Sequence, residues 1–390
     1  MRIALYGGSF NPPHLGHRAA ALTVTEKLRP DLLLVIPDHT PPHKALPEDS
    51  PPAEERLALC ELTFAGIPKL EISDLELRRE GASYTADTVE QLRAQYPRDE
   101  LYLVVGTDML LCFEQWYRFR YLLEQCVLTV LCRAEDEQEL IDEKAEGLRS
   151  AYGAKLQIIA HEPIEISSGE LRELLPRRLG RDELTPAAYA EIIRRRWYGA
   201  QPELAWLREM AYAMLKPKRI AHVAGCESEA VSLATHWGED PELAAEAAIL
   251  HDITKRQKGE AQLELCRRYG LQPDREELAC PNVLHAITGA AAAVSCFGVC
   301  DAVRDAIRWH CTGKPDMTLL EKIVWLADFI EPTRDFPGVD EVRSLAYEDI
   351  NLALSTALRM TLEFVDQKSG PICTWTKQAS AYYAELSERR

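Results

Sequence analysis

Along the first half of the chain, short apolar runs alternate with segments in which apolar residues recur at helical spacing. Five short apolar runs predict strands, and they cover residues 2–6, 32–36, 101–105, 127–131 and 156–160. Residues 18–28 have helical spacing, so the first two runs and this segment predict a βαβ crossover. The alternation predicts an α/β fold with a doubly wound parallel sheet, in which ligands bind at the carboxyl ends of the strands.

The pattern changes at about residue 203, where one helical segment follows another. Apolar positions at helical spacing predict helices over 241–253, 301–309, 319–330 and 350–365, and no convincing strand pattern accompanies them. Gly199 and Pro202 interrupt the chain just before this change. We therefore expect an α/β domain over 1–199 and an all-α domain over 203–390.

Composition narrows the class of partner. The 390 residues carry a net charge of -17, with an acidic excess in both halves, so nucleic acid is not an expected partner. The sequence contains no long uncharged apolar run and no signal peptide, which predicts a cytoplasmic protein without a membrane partner. The 11 cysteines form no C-x-x-C pair and are expected to be buried free thiols. A homo-oligomer is left open.

The first candidate site is the segment GGSFNPPHLGH, which directly follows the first apolar run. Gly7, Gly8 and Gly16 leave room for a phosphate to approach the backbone. His14 and His17 are three positions apart, so they share a helix face from which both rings could donate hydrogen bonds to a triphosphate. Two such histidines in isolation could instead have only a capping or packing role.

In its wider context this segment resembles the H-x-G-H nucleotidyltransferase superfamily, and within it bacterial nicotinate mononucleotide adenylyltransferase. The further matching segments, in chain order, are 41–44, 83–88, 105–109, Trp116, 166–172 and 184–198. Class I aminoacyl-tRNA synthetases share the histidine pair, but the chain has no Lys-Met-Ser-Lys-Ser-like loop. The resemblance covers residues 1–199. It implies that nicotinate mononucleotide attacks the α-phosphate of ATP, giving deamido-NAD and pyrophosphate, with Mg²⁺ accompanying ATP.

The resemblance also implies three sets of site residues. The expected catalytic residues are His14, His17, Lys44 and Arg172. The expected ATP-binding residues are Gly7, Gly8, Ser9, Phe10, Gly16, Gly106, Asp108, Ile166, Ser167 and Ser168. The expected mononucleotide-binding residues are Tyr84, Thr85 and Trp116. Independently of the family, Ser167 and Glu170 have the spacing of a capping box, which would leave backbone amides available to an anion.

The second candidate site lies in the helical half, which holds His222, His236, His251, His285 and His310, five of the 10 histidines. His251 and Asp252 stand at the end of an apolar helix. A carboxylate buried there is energetically costly unless a cation lies beside it. Neighbouring helix positions point about 100° apart, so other helices must complete a site, and His222 and Asp328 are candidates. Such a mixed set suits iron or manganese. His285 and His310 are expected at a second metal or the substrate, and His236 in the core.

This pattern resembles the HD-domain metallophosphohydrolases, most closely the YqeK family of symmetrical diadenosine tetraphosphate hydrolases. The resemblance covers residues 203–388 and implies release of two ADP molecules with the help of one or two transition-metal ions, iron first among them. The implied metal ligands are His222, His251, Asp252 and Asp328. The implied polyphosphate-binding or ADP-binding residues are Lys255, His285, His310 and Arg334. Cys311 stands where the family usually has threonine.

Two alternatives for the helical half stay open. It could hydrolyse another nucleotide, such as a cyclic dinucleotide or a deoxynucleoside triphosphate. It could also be a nucleotide-sensing module without hydrolysis, although the complete set of four metal-ligand candidates argues against this. The sequence thus predicts a bifunctional enzyme whose small-molecule substrates are ATP, nicotinate mononucleotide and diadenosine tetraphosphate.

Overall fold

The computed structural model describes residues 1–42, 45–132, 138–368 and 370–388. The chain divides into two compact units, Met1–Gln201 and Pro202–Arg390. Lys44, one of the expected catalytic residues, lies outside the described residues. None of the 11 cysteines, all of which are described, forms a disulfide bond, but Cys296 and Cys300 are exposed, so the expectation of buried thiols is wrong for these two.

The first unit is built on a six-stranded parallel sheet with the order β3-β2-β1-β4-β5-β6. The strands are β1 Arg2–Gly8, β2 Leu32–Pro37, β3 Leu70–Ile72, β4 Glu100–Gly106, β5 Cys126–Cys132 and β6 Leu156–Ala160. The five apolar runs of the sequence all form strands, and the three-residue β3 at the edge is additional. The strand order reverses between β1 and β4, which is where an open α/β sheet leaves a crevice for ligands.

Within the described part of this unit, eight α-helices accompany the sheet. They are α1 Leu15–Thr23, α2 Ala53–Phe64, α3 Thr85–Gln95, α4 Thr107–Leu111, α5 Phe119–Gln125, α6 Gln138–Tyr152, α7 Ser168–Leu174 and α8 Pro186–Arg195. The side chains of β1 alternate between two apolar layers: Ile3 and Leu5 lie in one, and Ala4 lies in the other. Both faces of the sheet are therefore buried, as the parallel topology requires.

The described part of the second unit consists of helices and contains no strand. The helices are α9 Leu204–Met214, α10 Pro217–Trp237, α11 Pro241–Leu250, α12 Glu260–Arg268, α13 Arg275–Ala279, α14 Leu284–Phe297, α15 Asp301–Trp309, α16 Leu319–Ile330, α17 Val339–Glu348, α18 Ile350–Gln367 and α19 Thr374–Glu388. The predicted helices 301–309 and 319–330 match α15 and α16 at both ends. None of the described helices combines the length and apolar character that a membrane crossing requires.

Alanine makes the centre of this unit compact. Ala244, Ala245, Ala247 and Ala248 of α11 are at most 1% exposed, and α11 packs against α10, α15 and α16. Short side chains let helices approach closely. The histidines and aspartates of the second candidate site lie on, or directly after, the helices around this centre.

Candidate functional sites

The histidine pair lies at the start of α1, directly beyond the carboxyl end of β1. His14 is the N-cap residue of α1 with an extended backbone, and His17 is in the first turn. The centroids of the two rings are 3.8 Å apart. The backbone N–H of His14 donates to Nδ1 of His17 at 3.3 Å, which assigns the proton of a neutral His17 ring to Nε2. Nδ1 of His14 is buried and has no partner among the described residues.

Both rings are neutral at physiological pH. Burial lowers the pKa of His14 to about 4. Burial, together with the neighbouring His14, holds the pKa of His17 well below its ordinary value. A neutral ring still donates one N–H, so the pair can offer hydrogen bonds to an anion without a protonation step.

The loop between β1 and α1 is held from one side by a buried arginine that sequence analysis missed. Arg56 of α2 is 1% exposed. Its Nη1 donates to the carbonyl oxygen of Ser9 at 2.5 Å, and its Nη2 donates to that of Asp38 at 2.7 Å. The only sequence signal was an arginine within an otherwise amphipathic helix, which is ordinarily a surface feature.

The same loop is held from the other side by the end of the unit. Arg172 donates from Nη1 to the carbonyl oxygen of Asn11 at 2.5 Å, and Ser168 Oγ donates to that of Pro12 at 2.9 Å. The Tyr198 hydroxyl, 1% exposed, donates to Oδ1 of Asn11 at 2.9 Å. Arg172, which was expected to be catalytic, is thus hydrogen-bonded to the loop backbone.

Two cavities adjoin each other at the crevice between β1 and β4. The larger has a volume of about 510 Å³ and is lined by His14 and His17, which were expected to be catalytic. The expected ATP-binding residues that line it are Gly7, Gly16, Gly106, Asp108, Ile166, Ser167 and Ser168. The smaller, of about 260 Å³, is lined by Tyr84, Thr85 and Trp116, and also by Gly8 and Ser9. Gly7, Val104 and Met109 line both cavities. Phe10 lines neither of them, because its ring is buried in the core.

Two glycines of the larger cavity are explained by neighbouring side chains. A Cβ at Gly16 would lie 3.0 Å from the His14 ring and 3.2 Å from the carbonyl oxygen of Ile164, so Gly16 makes room for the histidine itself. A Cβ at Gly106 would lie 2.9 Å from Oδ1 of Asp108. At Gly7 the nearest such contact is 3.9 Å, which leaves the space beside the backbone open.

Helix α7 begins with the predicted capping box at the edge of the larger cavity. Ser167 Oγ accepts from the backbone N–H of Glu170 at 3.1 Å, and the Glu170 carboxylate accepts from the backbone N–H of Ser167 at 2.8 Å. Ser167 and Ser168 line the cavity at this N-terminus.

Aromatic rings and a buried carboxyl surround the smaller cavity. The ring centroids of Tyr84 and Tyr117 are 4.6 Å apart, and Trp116 lies beside them. Glu76 is 7% exposed and accepts from the Thr88 hydroxyl at 2.6 Å. Burial raises the pKa of Glu76. Sequence analysis missed Tyr117 and Glu76, since neither stands in a recognisable motif.

In the second unit, four histidines and two aspartates converge. Nε2 of His222 lies 3.0 Å from Oδ1 of Asp328. Asp252 is completely buried and presents Oδ2 to His251 at 3.5 Å. Its other oxygen, Oδ1, lies 3.2 Å from Nε2 of His285 and 3.7 Å from Nε2 of His310. One carboxylate thus lies between two groups of imidazoles.

A partner at Nδ1 orients each of the four imidazoles. In three of them Nδ1 lies 2.6 to 2.7 Å from the carbonyl oxygen three residues earlier, and these pairs are His251 with Ala248, His285 with Asn282, and His310 with Ile307. Nδ1 of His222 lies 3.0 Å from the Glu331 carboxylate. When Nδ1 carries the proton, Nε2 is left with a lone pair, which is the tautomer that metal-binding histidines adopt.

Two buried acceptor atoms of this cluster have no hydrogen-bond donor among the described residues. Nε2 of His251 and Oδ1 of Asp252 are buried without a hydrogen-bond partner among the described residues, although charged groups lie within ion-pair distance. Burial alone would raise the pKa of Asp252, but the neighbouring imidazoles, His251 first, hold it well below its ordinary value. Lone pairs and a carboxylate that face one another fit a divalent cation.

Three neighbours of the cluster were not predicted as site residues. A Cβ at Gly225 would lie 2.5 Å from Oε2 of Glu331, so a glycine one turn after His222 lets this carboxylate reach the ring. Arg219 donates from Nε to Oδ2 of Asp252. Glu331 follows Asp328 closely in the sequence, but only the fold shows that its carboxylate lies beside Nδ1 of His222.

Lys255 and Arg334 lie beside the cluster. Nζ of Lys255 is 2.8 Å from Nε2 of His285, and Nη2 of Arg334 donates to Oδ1 of Asp328 at 2.7 Å. His236 lies elsewhere, exposed on α10 with its ring 5.2 Å from that of Tyr347. The expectation that His236 is a core residue is therefore wrong, because its face of α10 points to solvent.

Cys311 lies against two of the imidazoles. Its Sγ is 3.3 Å from Nε2 of His285 and 3.4 Å from Nε2 of His310. Burial alone would raise the pKa of the Cys311 thiol, but His285, His310 and Lys255 hold it well below its ordinary value. Burial likewise opposes a charge on His310, but Cys311, Asp252 and Asp328 together outweigh it and raise the pKa of His310 to about 10.

A basic cavity of about 450 Å³ opens beside the cluster. Among the described residues, its lining includes no aspartate or glutamate and six cationic side chains, which are Lys216, Lys218, Arg219, Lys255, Arg256 and Lys258. His285 is shared between the cavity wall and the cluster. In a chain of net charge -17, this local excess of positive charge favours a polyanion.

Comparisons with known proteins give a family for each of the two units. Residues 5–174 match the family model described as Cytidylyltransferase-like, and residues 219–333 match the HD domain. A relative from Pseudomonas syringae pv. tomato, named "Probable nicotinate-nucleotide adenylyltransferase", is 36% identical over 185 residues, which are 45% of this chain and 82% of the relative. A relative from Bacillus subtilis, named "Bis(5'-nucleosyl)-tetraphosphatase, symmetrical", is 40% identical over 170 residues, which are 42% of this chain and 91% of the relative. The chain belongs to both families.

The nicotinate-nucleotide adenylyltransferase and symmetrical tetraphosphatase families are enzymes, and the chain is an enzyme with two catalytic domains. Its second unit also resembles a crystal structure from Clostridium acetobutylicum, titled as an HD superfamily hydrolase involved in NAD metabolism. That likeness has 37% identity and a TM-score of 0.45, covering 47% of this chain and 97% of the other. An HD domain implies a divalent metal, and the described residues include suitable His and Asp clusters.

Proposed function

We propose that residues 1–199 transfer the adenylyl group of ATP to nicotinate mononucleotide, giving deamido-NAD and pyrophosphate. The observation that carries this proposal is the pair of cavities that adjoin each other at Gly7. ATP would occupy the larger cavity and the mononucleotide the smaller one. The attacking phosphate and the α-phosphate would then meet at their shared edge, held for in-line displacement.

The residues around this edge would then have distinct roles. His14 and His17, both neutral, would donate N–H groups to the charge that develops on the phosphates, and Mg²⁺ would accompany ATP. Arg172 would act through the loop that it holds, in addition to any phosphate contact. Lys44 is proposed from the family resemblance as a further cation. Tyr84, Thr85 and Trp116 would bind the pyridine ring and ribose of the mononucleotide.

The test is a product analysis on the full chain. With ATP, Mg²⁺ and nicotinate mononucleotide, we expect deamido-NAD in equal amount to pyrophosphate, measured by mass spectrometry. A parallel assay with nicotinamide mononucleotide measures the preference for the acidic ring. If neither mononucleotide is adenylylated while the protein binds ATP, the proposal fails.

We further propose that residues 203–390 hydrolyse diadenosine tetraphosphate to two ADP molecules. The observation that carries it is the buried Asp252 carboxylate, which lies between two groups of imidazoles beside a basic cavity. His222, His251, Asp252 and Asp328 would hold the metal, for which we propose iron. When bound, such a cation supplies Lewis acidity and lowers the pKa of water.

Around the metal ligands, cationic side chains would bind the polyphosphate. Lys255 and Arg334 would contact the phosphates next to the scissile bond, and His285 and His310 face the same space. Arg219 would keep the Asp252 carboxylate in its orientation through the hydrogen bond to Oδ2. The basic cavity would take the phosphates of the departing ADP, which explains why a substrate with four phosphates suits it.

A charge reversal tests the basic cavity. We expect Lys258→Glu to raise KM for diadenosine tetraphosphate about tenfold with little change in kcat, because the side chain lines the cavity wall without contacting the metal ligands. Lys377→Glu, at an exposed position on α19, is the matched control. Equal KM values for the two variants would remove the cavity from the substrate site.

An assay of products by mass also distinguishes between the candidate substrates of the second unit. Cyclic dinucleotides and deoxynucleoside triphosphates are offered in parallel with diadenosine tetraphosphate, and products are identified by mass. Tight binding of the tetraphosphate without turnover in the metal-loaded protein would favour a sensing module. Finally, we propose a cytoplasmic location, which the 11 free cysteines support because reducing compartments preserve free thiols.

A further inference from the structure

A second cavity of the helical unit, which we call the apolar cavity, adjoins the basic cavity. Its volume of about 310 Å³ is at the lower end of the range for small-molecule sites, about 300 to 1,000 Å³. Most of its lining is apolar or aromatic, namely Met214, Ile253, Leu265, Tyr269, Ala292 and Cys296. Arg256 and Arg268 also line it, and among the described residues no aspartate or glutamate does. This combination suits a flat, weakly charged group that is attached to an anion.

Three segments of the chain build the walls of both cavities. Arg256 and Gln257, in the loop after α11, line both of them. Helix α12 contributes Gln262 to the basic cavity and Leu265 to the apolar one. At the end of α9, residue 214 lines the apolar cavity and residue 215 lines the basic one. The two cavities therefore continue one another, and the metal-ligand cluster adjoins the basic one.

Buried hydrogen bonds hold the loop that separates the two cavities. Gln262 is 2% exposed, and its Nε2 donates to the carbonyl oxygens of Thr254 at 2.8 Å and Gln257 at 3.1 Å. Its Oε1 accepts from the Thr288 hydroxyl at 2.7 Å. The side chains of Arg256 and Gln257 therefore extend from an anchored backbone, which lowers the entropic cost of binding a ligand beside them.

We propose that the apolar cavity binds the nucleoside of the ADP whose phosphates occupy the basic cavity. This inference rests on the proposed hydrolysis of diadenosine tetraphosphate. The base stacks on the Tyr269 ring, and Arg256 lies at the boundary where the ribose joins the phosphates. A dinucleotide has a base at each end of its polyphosphate, so a site for the second base favours it over a nucleotide with one base.

Substitution of Tyr269 in the metal-loaded full chain tests the stacking contact. We expect Tyr269→Ala to raise KM for diadenosine tetraphosphate about tenfold, the usual effect of losing one base–aromatic stack, with kcat within about twofold of the wild type. Tyr269→Phe keeps the ring, so its KM should stay within about twofold of the wild-type value. Tyr382→Ala, on α19 outside the lining of either cavity, is the matched control.

Alkylation of Cys296 tests the position of the nucleoside without turnover. This exposed thiol lies beside Tyr269, whereas Cys300, which is also exposed, lines neither cavity and is the internal reference. With ADP at about ten times its Kd, we expect iodoacetamide to modify Cys296 about tenfold more slowly, measured by peptide mass spectrometry, and Cys300 at an unchanged rate. Tripolyphosphate, which carries the charge without a base, should leave both rates unchanged.

An unchanged KM in Tyr269→Ala, an equal KM increase in Tyr269→Phe, or equal protection of Cys296 by tripolyphosphate overturns the proposal. A variant that fails to fold loses kcat as well, and alkylation of the wild type then decides the question. Because alkylation needs no hydrolysis, protection by ADP in a protein that does not hydrolyse diadenosine tetraphosphate would retain the nucleoside site and remove the proposed substrate. Hydrolysis without that protection would do the reverse.

Discussion

At the scale of single residues, the two sites use histidine in opposite ways. In the first unit, His14 and His17 lie ring against ring, and burial keeps both neutral so that each has an N–H to donate. In the second unit, backbone carbonyls and Glu331 occupy Nδ1, which leaves Nε2 as an acceptor for a cation. We therefore expect the same side chain to donate to anions in the first site and to bind a metal in the second.

Removal of one histidine of the His14–His17 pair should slow deamido-NAD synthesis without affecting the second unit. We expect His17→Ala to lower kcat for deamido-NAD synthesis about 100- to 1000-fold, the usual effect of losing one donor to a developing negative charge. Hydrolysis of diadenosine tetraphosphate, measured in the same preparation, should be unchanged. His236→Ala, at an exposed histidine outside both sites, is the matched control. Synthesis at the full rate in His17→Ala would exclude the proposed role.

Burial of His14 also makes the first unit sensitive to acid. The unfolded ring titrates at about 6.5 and the folded one at about 4, so the unfolded state takes up the proton first as the pH falls. The free energy of unfolding therefore has its full value above pH 6.5, where the ring is neutral in both states. It falls as the pH is lowered towards 4, because only the unfolded state takes up the proton in that range. The difference amounts to about 3 kcal/mol.

This acid sensitivity can be measured by calorimetry. Between pH 6.5 and 4, the transition of the first unit should lose about 3 kcal/mol more in the wild type than in His14→Gln. The transition is assigned by its upward shift with ATP. Parallel pH profiles in the two proteins would show that His14 does not titrate in this range.

At the scale of elements, close approaches between helices position the ligands. Helix α10 carries His222 and Gly225 on consecutive turns, and the glycine leaves space for Glu331, which follows α16. Glu331 in turn lies 3.0 Å from Nδ1 of His222. The orientation of the His222 ring therefore depends on Gly225, because a side chain at that position would displace Glu331.

A single methyl group at this contact should weaken metal binding. In Gly225→Ala, the new Cβ would lie 2.5 Å from Oε2 of Glu331, which must then leave His222. Losing such a partner of a metal-binding histidine typically costs 10- to 100-fold in affinity, so we expect about that loss in a metal titration. Gly147→Ala, on α6 with nothing within 4 Å of the added Cβ, should bind metal as the wild type does. Equal affinities would mean that Glu331 has no influence on the ligand.

The sequence predicts regular elements well and long-range contacts poorly. Periodicity identified five strands and the ends of α15 and α16, because buried faces repeat at 2 or 3.6 residues. The strand β3 is too short to show a period, and the role of Arg56 depends on a loop more than 40 positions away. The metal-ligand candidates were visible as residue types, whereas their arrangement around the two oxygens of Asp252 required the fold.

At the scale of the whole molecule, the chain joins two units of similar size, each with its own core and site. Each unit exceeds the size at which a domain can bury a sufficient core alone. Adenylyl transfer by ATP-using enzymes can generate dinucleoside polyphosphates, so a hydrolase on the same chain could remove them. We therefore expect the two activities to have a metabolic connection without sharing catalytic residues.

Separation of the units tests this independence. We expect fragments 1–201 and 202–390 to fold alone and to keep their respective kcat values within about twofold, because all the proposed site residues of each activity lie in one unit. Thermal unfolding of the full chain should show two transitions that correspond to those of the fragments. A large change in either kcat on separation would instead indicate transfer of an intermediate or coupling between the sites.

The hydrogen bonds from His251, His285 and His310 to carbonyls three residues earlier have a consequence for protein design. Each ring is oriented by a backbone carbonyl of its own helical turn. A segment of three to four consecutive residues is therefore sufficient to fix the orientation of the imidazole and can be transferred to another helix. Grafting such turns onto the ends of unrelated helices should provide pre-oriented imidazoles, and the designer then has only to choose how the helices meet.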